Sequence, residues 1–265
     1  MNDITGYIER LDKSMTKDEK LFFLDKVDLL SYDYIVDFGC ADGRLLHEID
    51  LVLPAEGRPR LYGVENNDDI PLAYDNITRV RTLEQLGSLN GSTLVIFSSV
   101  LHEVSLDILQ NRIIPFLKTT ADTIVIRDMH WVRRKNANGR WTRHESRLLT
   151  NIVQDVKYLR KLNEIIDSHS WLYNNLMETL YEFLMKYEYD ANWDTEKKEY
   201  YFINNTERII TEMTCEYGFK KKYFKPYILP YKREKVKTDF GYKMRYTTHL
   251  KVILGRTKKD KKKYQ

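Results

Sequence analysis

The run Tyr34-Ile35-Val36-Asp37-Phe38-Gly39-Cys40-Ala41-Asp42-Gly43 sets a carboxylate and two glycines between three β-favouring residues and a leucine-rich helical pattern that begins at Leu45. That order reads as strand, tight turn and helix. Glycine lacks a Cβ, so the backbone can bend sharply and a ligand can approach the N–H groups at the start of the helix. A cofactor is expected at this turn. The spacing narrows its class, because a dinucleotide needs G-x-G-x-x-G after the strand to seat a pyrophosphate, and that pattern is not here. A nicotinamide oxidoreductase is therefore disfavoured. A second chemical group, Ser98-Ser99-Val100-Leu101-His102-Glu103, follows an apolar stretch rich in β-branched residues. His102 and Glu103 are candidates for proton transfer, as is His130 further on, although a histidine beside a strand end more often packs or hydrogen-bonds. They do not form a zinc pair, since the second histidine position of H-E-x-x-H is Leu106, and no metal site is expected.

The elements that must hold these groups alternate. Leu45, Leu46, Ile49 and Leu53 make one helical face that ends at Pro54 and Gly57. Arg60 to Glu65 reads as a second strand closing on an acid, Ile77 to Arg81 as a short third, Ser92 to Phe97 as a fourth and Thr123 to Arg127 as a fifth. A helix carrying Leu106, Leu109, Ile113 and Phe116 joins the last two. Thr16 and Glu19 are spaced as a capping box ahead of a short N-terminal helix, and Thr82 to Gln85 as another. In an open parallel sheet ligands bind beyond the carboxyl ends of the strands. Asp37, Glu65, Ser98, Arg127 and Asp128 all fall at such ends.

The turn, with its preceding acid, resembles the first motif of the class I S-adenosylmethionine-dependent methyltransferases, an acidic residue followed by G-x-G-x-G, with Ala41 standing at the middle glycine. The resemblance covers about 30 to 130 and 204 to 255. It implies an α/β fold: a seven-stranded, mostly parallel Rossmann-like sheet with helices on both faces, here with a helical insertion after strand five. It implies S-adenosyl-L-methionine as cofactor, held by Asp37, Gly39, Cys40, Ala41 and Gly43. It further implies that Glu65 accepts hydrogen bonds from ribose hydroxyls with Asn66 assisting, that the adenine lies by Thr82 and Leu83, and that the methionine part faces Ser98 and Ser99. The family's ending implies that Phe219 to Leu229 and Tyr246 to Leu254 form a terminal hairpin after a helix carrying Ile209, Ile210 and Met213.

The 265 residues suit one buried α/β domain plus an insertion, assigned as 1–129 with 202–256 for the cofactor domain, 130–201 for a helical lid over the substrate, and 257–265 for a basic tail. The insertion is read as helices, one with Ile152, Val153, Val156 and Leu159 and another from Leu172 to Leu184. Its aromatic residues, Trp131, Trp141, Trp171, Tyr173, Tyr187, Tyr189 and Trp193, are read as helix core, with stacking on a planar substrate as the alternative. No apolar run approaches the roughly 18 residues that span a bilayer, and a cytoplasmic protein is expected. Cys40 and Cys215 suit free thiols.

Net charge is only +4, but between Trp131 and Lys161 nine basic residues face two acidic ones. That excess points to a phosphate-bearing acceptor such as RNA, with Arg133, Arg134, Lys135, Arg140 and Arg143 as its contacts. No Asp/Asn-Pro-Pro-aromatic motif or cysteine ends the fourth strand, which in family terms argues against methylation of adenine amines and of pyrimidine C5. The alternatives are a small-molecule methyltransferase with a helical lid and a catalytically inactive partner protein that binds the cofactor.

Overall fold

The computed structural model describes residues 14–131, 142–169, 176–257 and 260–261. Among these, one compact unit takes residues up to 128 together with 204–225 and those from 250 on, and a second takes 129–203 and 226–249.

The strands, most of whose residues fall in the first unit, are β1 (Tyr34–Phe38), β2 (Arg60–Val64), β3 (Thr78–Val80), β4 (Thr93–Ser98), β5 (Thr123–Met129), β6 (Lys220–Tyr227) and β7 (His249–Gly255). They form one sheet in the order β3-β2-β1-β4-β5-β7-β6. β1 pairs in parallel with β2 (Tyr34 opposite Arg60) and with β4 (Tyr34 opposite Thr93), and β4 with β5. β7 runs the other way. The Arg256 amide bonds to the Asp122 carbonyl at one end of β5, while the His130 amide bonds to the Thr248 carbonyl at the other. The expected mostly parallel seven-stranded sheet is present, with a helical segment after β5.

Crossover helices carry the apolar positions that cover this sheet. Helix α1 (Arg44–Val52) buries Leu45, Leu46 and Ile49 in a cluster with Ile35, Leu94 and Ile96. The run α2 is assembled from Leu106–Ile108, a π-helical turn Leu109–Ile113, and Ile114–Thr120, and it buries Leu109, Ile113 and Leu117 against Val95, Ile124 and Ile126. Burial on both faces explains why β4 lacks polar alternation and is buried at every position.

Three expectations change. Residues 16–26 form successive turns rather than a regular helix. The Glu19 carboxylate, instead of closing a capping box on Thr16, receives the Arg127 guanidinium at 2.9 Å, with Lys251 at 3.7 Å. In the second unit, the helix expected through Ile152 and Leu159 is two, α3 (Arg143–Gln154) and α4 (Val156–Ser168), because Asp155 accepts from the amides of Lys157 and Tyr158 and starts the second. Val153 and Val156 are consequently exposed. Third, the expected terminal hairpin holds a helix, Pro230–Phe240, between its two strands.

The remaining helices are α5 (Leu176–Lys186), the short α6 (Trp193–Glu196), α7 (Asn205–Cys215) and α8 (Pro230–Phe240). The second unit's core joins Leu148, Ile152 and Leu162 to Tyr181, Phe183, Tyr187 and Trp193, with Trp131 against Tyr181, and it also takes in Val236 and Phe240 of α8. Three lysines, 161, 186 and 232, are buried there, each over an aromatic ring and beside a carboxylate. Both cysteines are free thiols. Among the described residues no helix is long and apolar enough to cross a membrane.

Candidate cofactor crevice

β1 lies where the strand order reverses, with β2 and β3 to one side and β4 and β5 to the other, so the crevice beyond its carboxyl end is where this architecture holds a ligand. The chain reaches it through a close approach. At Gly39, in the left-handed region at φ +72°, a Cβ would sit 2.4 Å from Val100 Cγ2, so only glycine lets the turn after β1 pass the loop after β4. Ala41 follows at φ +49°, Gly43 opens α1 at φ +86°, and Ser99 in the facing loop stands at φ +62°. Two non-glycine residues in the left-handed region at adjoining strand ends mark local strain of the kind that sites use.

Five amides of this turn are engaged within the chain. Gly39 and Cys40 donate to the Val64 carbonyl, Gly43 to the Cys40 carbonyl, and Arg44 to Asp42. Ala41 donates to Glu65 Oε2 at 3.1 Å, and Glu65 Oε1 accepts from the Asn67 amide at 2.9 Å. Glu65 thus stitches the ends of β1 and β2 together. Each of its oxygens has a further lone pair for hydroxyl donors. The Cys40 thiol is buried over Gly63, where burial pushes its pKa up, so it supplies shape rather than a reactive sulfur.

Asp37 is buried, and its Oδ1 has no hydrogen-bond partner among the described residues. Burial raises its pKa to about 7; Lys20 opposes the shift and Glu65 adds to it. Lys20 itself is lowered to about 8, by burial first and by Arg127 second, while Asp37, Asp128 and Asp42 pull it back up. Ser98 Oγ, at the end of the neighbouring strand, is a second buried atom without a partner among the described residues. Two orphaned polar atoms at adjacent strand ends are expensive unless a ligand satisfies them.

The loop after β4 is held from β5 and α7. Asp128 is fully buried, and its Oδ2 accepts from the Val100 amide at 2.9 Å and the Leu101 amide at 2.6 Å. Its Oδ1 meets His102 Nδ1 at 2.8 Å. The Asn205 side chain donates to the Leu101 and Val104 carbonyls. Asp128 is an acceptor, so His102 Nδ1 carries a proton toward it. Glu103 is exposed, 3.6 Å from Nε2. Arg127 links Ser99 Oγ to Glu19 from the next position on β5.

The other expected site residues distribute as follows. Asn66 is exposed just past Glu65, and Thr82 and Leu83 are half-buried at the start of a short 3₁₀ turn (Leu83–Leu86) that begins without a side-chain cap bond. His130 is buried past β5, in the second unit. Arg143 is exposed in the first turn of α3, whereas Arg133, Arg134, Lys135 and Arg140 lie outside the described residues. Sequence reasoning missed Lys20, Glu19 and Asn205 as parts of the crevice, and it placed Asp128 at a strand end without seeing its bond to His102.

The sheet order and its flanking helices define a Rossmann-like α/β fold. No protein-family model matches the sequence, and neither does any curated protein. Solved structures similar in chain course include the plantazolicin methyltransferase BamL in complex with a triazolic desmethylPZN analog and SAH (10% identity, 86% of this chain and 78% of that one, TM-score 0.46). Others are the methyltransferase domain of bacterial CtHen1 (12% identity, 89% and 93%, TM-score 0.43) and a putative S-adenosylmethionine-dependent methyltransferase from Listeria monocytogenes (11% identity, 90% and 97%, TM-score 0.43). At these identities and scores nothing about chemistry carries across.

Proposed function

We propose that the protein is an S-adenosylmethionine-dependent methyltransferase acting on a phosphate-bearing acceptor, with RNA as the leading class. The observation that carries this reading is the buried, partnerless Asp37 Oδ1 beside the Glu65 carboxylate at the switch point of the sheet. Two acceptors so placed fit a ligand with a cationic amine and a pair of ribose hydroxyls. When bound, such a cofactor supplies an electrophilic methyl on sulfur. Asp37 and Ser98 would meet the amino-acid end, Glu65 with Asn66 the ribose, and Thr82 and Leu83 the base.

His102 Nε2 would take the proton that the acceptor's O–H or N–H gives up, with Asp128 fixing the ring and stabilising the imidazolium. Holding the reactants in line would supply much of the rate. The acceptor class rests on the basic excess after β5. The deciding experiment incubates the protein with methyl-labelled cofactor and separate RNA, protein and metabolite fractions. Label in RNA supports the full reading, label in metabolites alone replaces the acceptor, and cofactor binding without transfer to any fraction identifies an inactive partner protein.

A further inference from the structure

β6 ends the sheet, four strands along from β1 in the order β1-β4-β5-β7-β6, or about 19 Å away at ~4.8 Å per strand. Its sequence is Lys220-Lys221-Lys222-Tyr223-Phe224-Lys225-Pro226-Tyr227, and it stays exposed at every position but Tyr223 and Tyr227, which are half-buried. Among the described residues none of its four lysines meets a carboxylate. Phe224 is 48% exposed, a large apolar ring in water beside them, with Lys221 Nζ 5.4 Å from its centroid. Strand alternation sets Lys220, Lys222 and Phe224 on one side and Lys221, Tyr223 and Lys225 on the other, with same-side residues about 6.6 Å apart. Tyr223 is anchored against Phe22, with ring centroids 5.7 Å apart, and Lys26 Nζ lies 5.3 Å from the Tyr223 centroid. The result is an edge strand with two lysines on each side and the Phe224 ring open to solvent on one of them.

A lysine on an edge strand guards against pairing with another chain. One or two charges do that, and the guard gains nothing from an exposed phenyl ring. We propose that the β6 edge is a docking track for single-stranded nucleic acid, its lysines neutralising successive phosphates and Phe224 stacking a base. Every base has a π face, so the track is tolerant of sequence, while four exposed lysines within one strand suit a chain of phosphates. It would hold a long acceptor at a distance from the crevice, so the inference deepens the RNA-acceptor reading, on which it rests for its biological use.

The test is equilibrium binding of a fluorescent, unstructured RNA oligonucleotide, without cofactor, across a salt series from about 50 to about 200 mM. The wild type is compared with a variant in which Lys220, Lys221, Lys222 and Lys225 are all changed to Gln, and with Phe224→Ser. At roughly 0.7 log units per phosphate, four contacts give a salt slope of about −3, hence roughly a 50-fold loss of affinity over the series. The quadruple variant should bind at least tenfold more weakly at low salt, with a slope shallower by about 3. Phe224→Ser should weaken binding with the slope retained. Unchanged affinity and slope in the quadruple variant would overturn the proposal. So would no RNA binding by the wild type at low salt, a labelled acidic peptide binding as tightly as RNA, or a variant that merely aggregates while binding RNA normally. Matched thermal melting and cofactor calorimetry on each variant separate the two readings: loss of RNA binding with cofactor affinity intact concerns the track alone, and cofactor binding that fails in the wild type concerns methyl transfer alone.

Discussion

Asp128 holds His102 by a 2.8 Å contact between Oδ1 and Nδ1, while its other oxygen takes the two amides that precede the histidine. One buried carboxylate therefore fixes both the loop and the tautomer of the ring it carries.

Asp128→Asn should leave the loop's amide acceptor in place but remove the charge that selects the Nδ1–H tautomer. Methyl transfer should fall by about 10²-fold or more, with cofactor affinity within about twofold of wild type. A lost rate beside a kept cofactor affinity is what a merely structural role would not give. Single-turnover rates with labelled cofactor, beside calorimetry, provide the check, and an unaltered rate would remove His102 from the chemistry.

Glu65→Ala removes an acceptor that two backbone amides and two ribose hydroxyls would share. Bonds to a charged acceptor contribute about 1.5 to 3 kcal/mol each, so affinity for S-adenosylmethionine should weaken at least tenfold. Glu65→Gln, which keeps one oxygen, should fall between the two. Calorimetry with equal affinities for all three proteins would exclude Glu65 from the site.

The pKa of Asp37, raised to about 7, carries a signed pH dependence. A carboxyl raised on folding contributes stability below its ordinary range and loses it as pH rises through about 7, so ligand-free Asp37→Asn should match the wild type near pH 4 and exceed it in melting temperature at pH 8. Lys20, lowered to about 8, works in the opposite sense, its contribution being present above its ordinary value and lost as pH falls through about 8. For the cationic cofactor the ionised carboxylate is the binding form, so wild-type affinity should drop between pH 8 and pH 6. A flat affinity profile would count against Asp37 as the amine's partner.

Glu19→Ala leaves the Arg127 guanidinium buried without its carboxylate. Breaking such a pair costs about 3 to 5 kcal/mol, which for a chain of this length lowers the melting temperature on the order of 10 °C. Exchanging the pair for Met at both positions should recover much of that. A loss below about 1 kcal/mol in chemical denaturation would show the pair to be solvated.

The strand ends were legible because β1, β4 and β5 are short runs rich in isoleucine and valine. Asp37, Glu65 and Ser98 could be placed from local pattern alone. The brace behind His102 was not, since Asp128 and Asn205 lie 26 and 103 positions further along the chain and no local rule joins them. Glu19 was misread because its spacing from Thr16 satisfied a capping rule, and a buried arginine over 100 residues away outbid it. Helix α8 hid for a different reason. It buries Lys232 beside Val236 and Phe240, so the inward face carries a charge where periodicity looks for an apolar residue. Its punctuation was readable all the same: Pro230 stands at the first turn, and Gly241, at φ +62°, closes it.

β7 is the last of the described strands and enters between β5 and β6. Until residues 249–255 have been made, β5 has an open apolar flank and β6 has nothing to attach to, so assembly of the sheet cannot finish in the order in which it is synthesised. Long-range closure of this kind is slow, and an unpaired flank is a template for other chains. A chain cut short before His249 would therefore not be a smaller version of this protein. It would be a client for chaperones and proteases, with the residues of the turn after β1 already made and no finished sheet to support them.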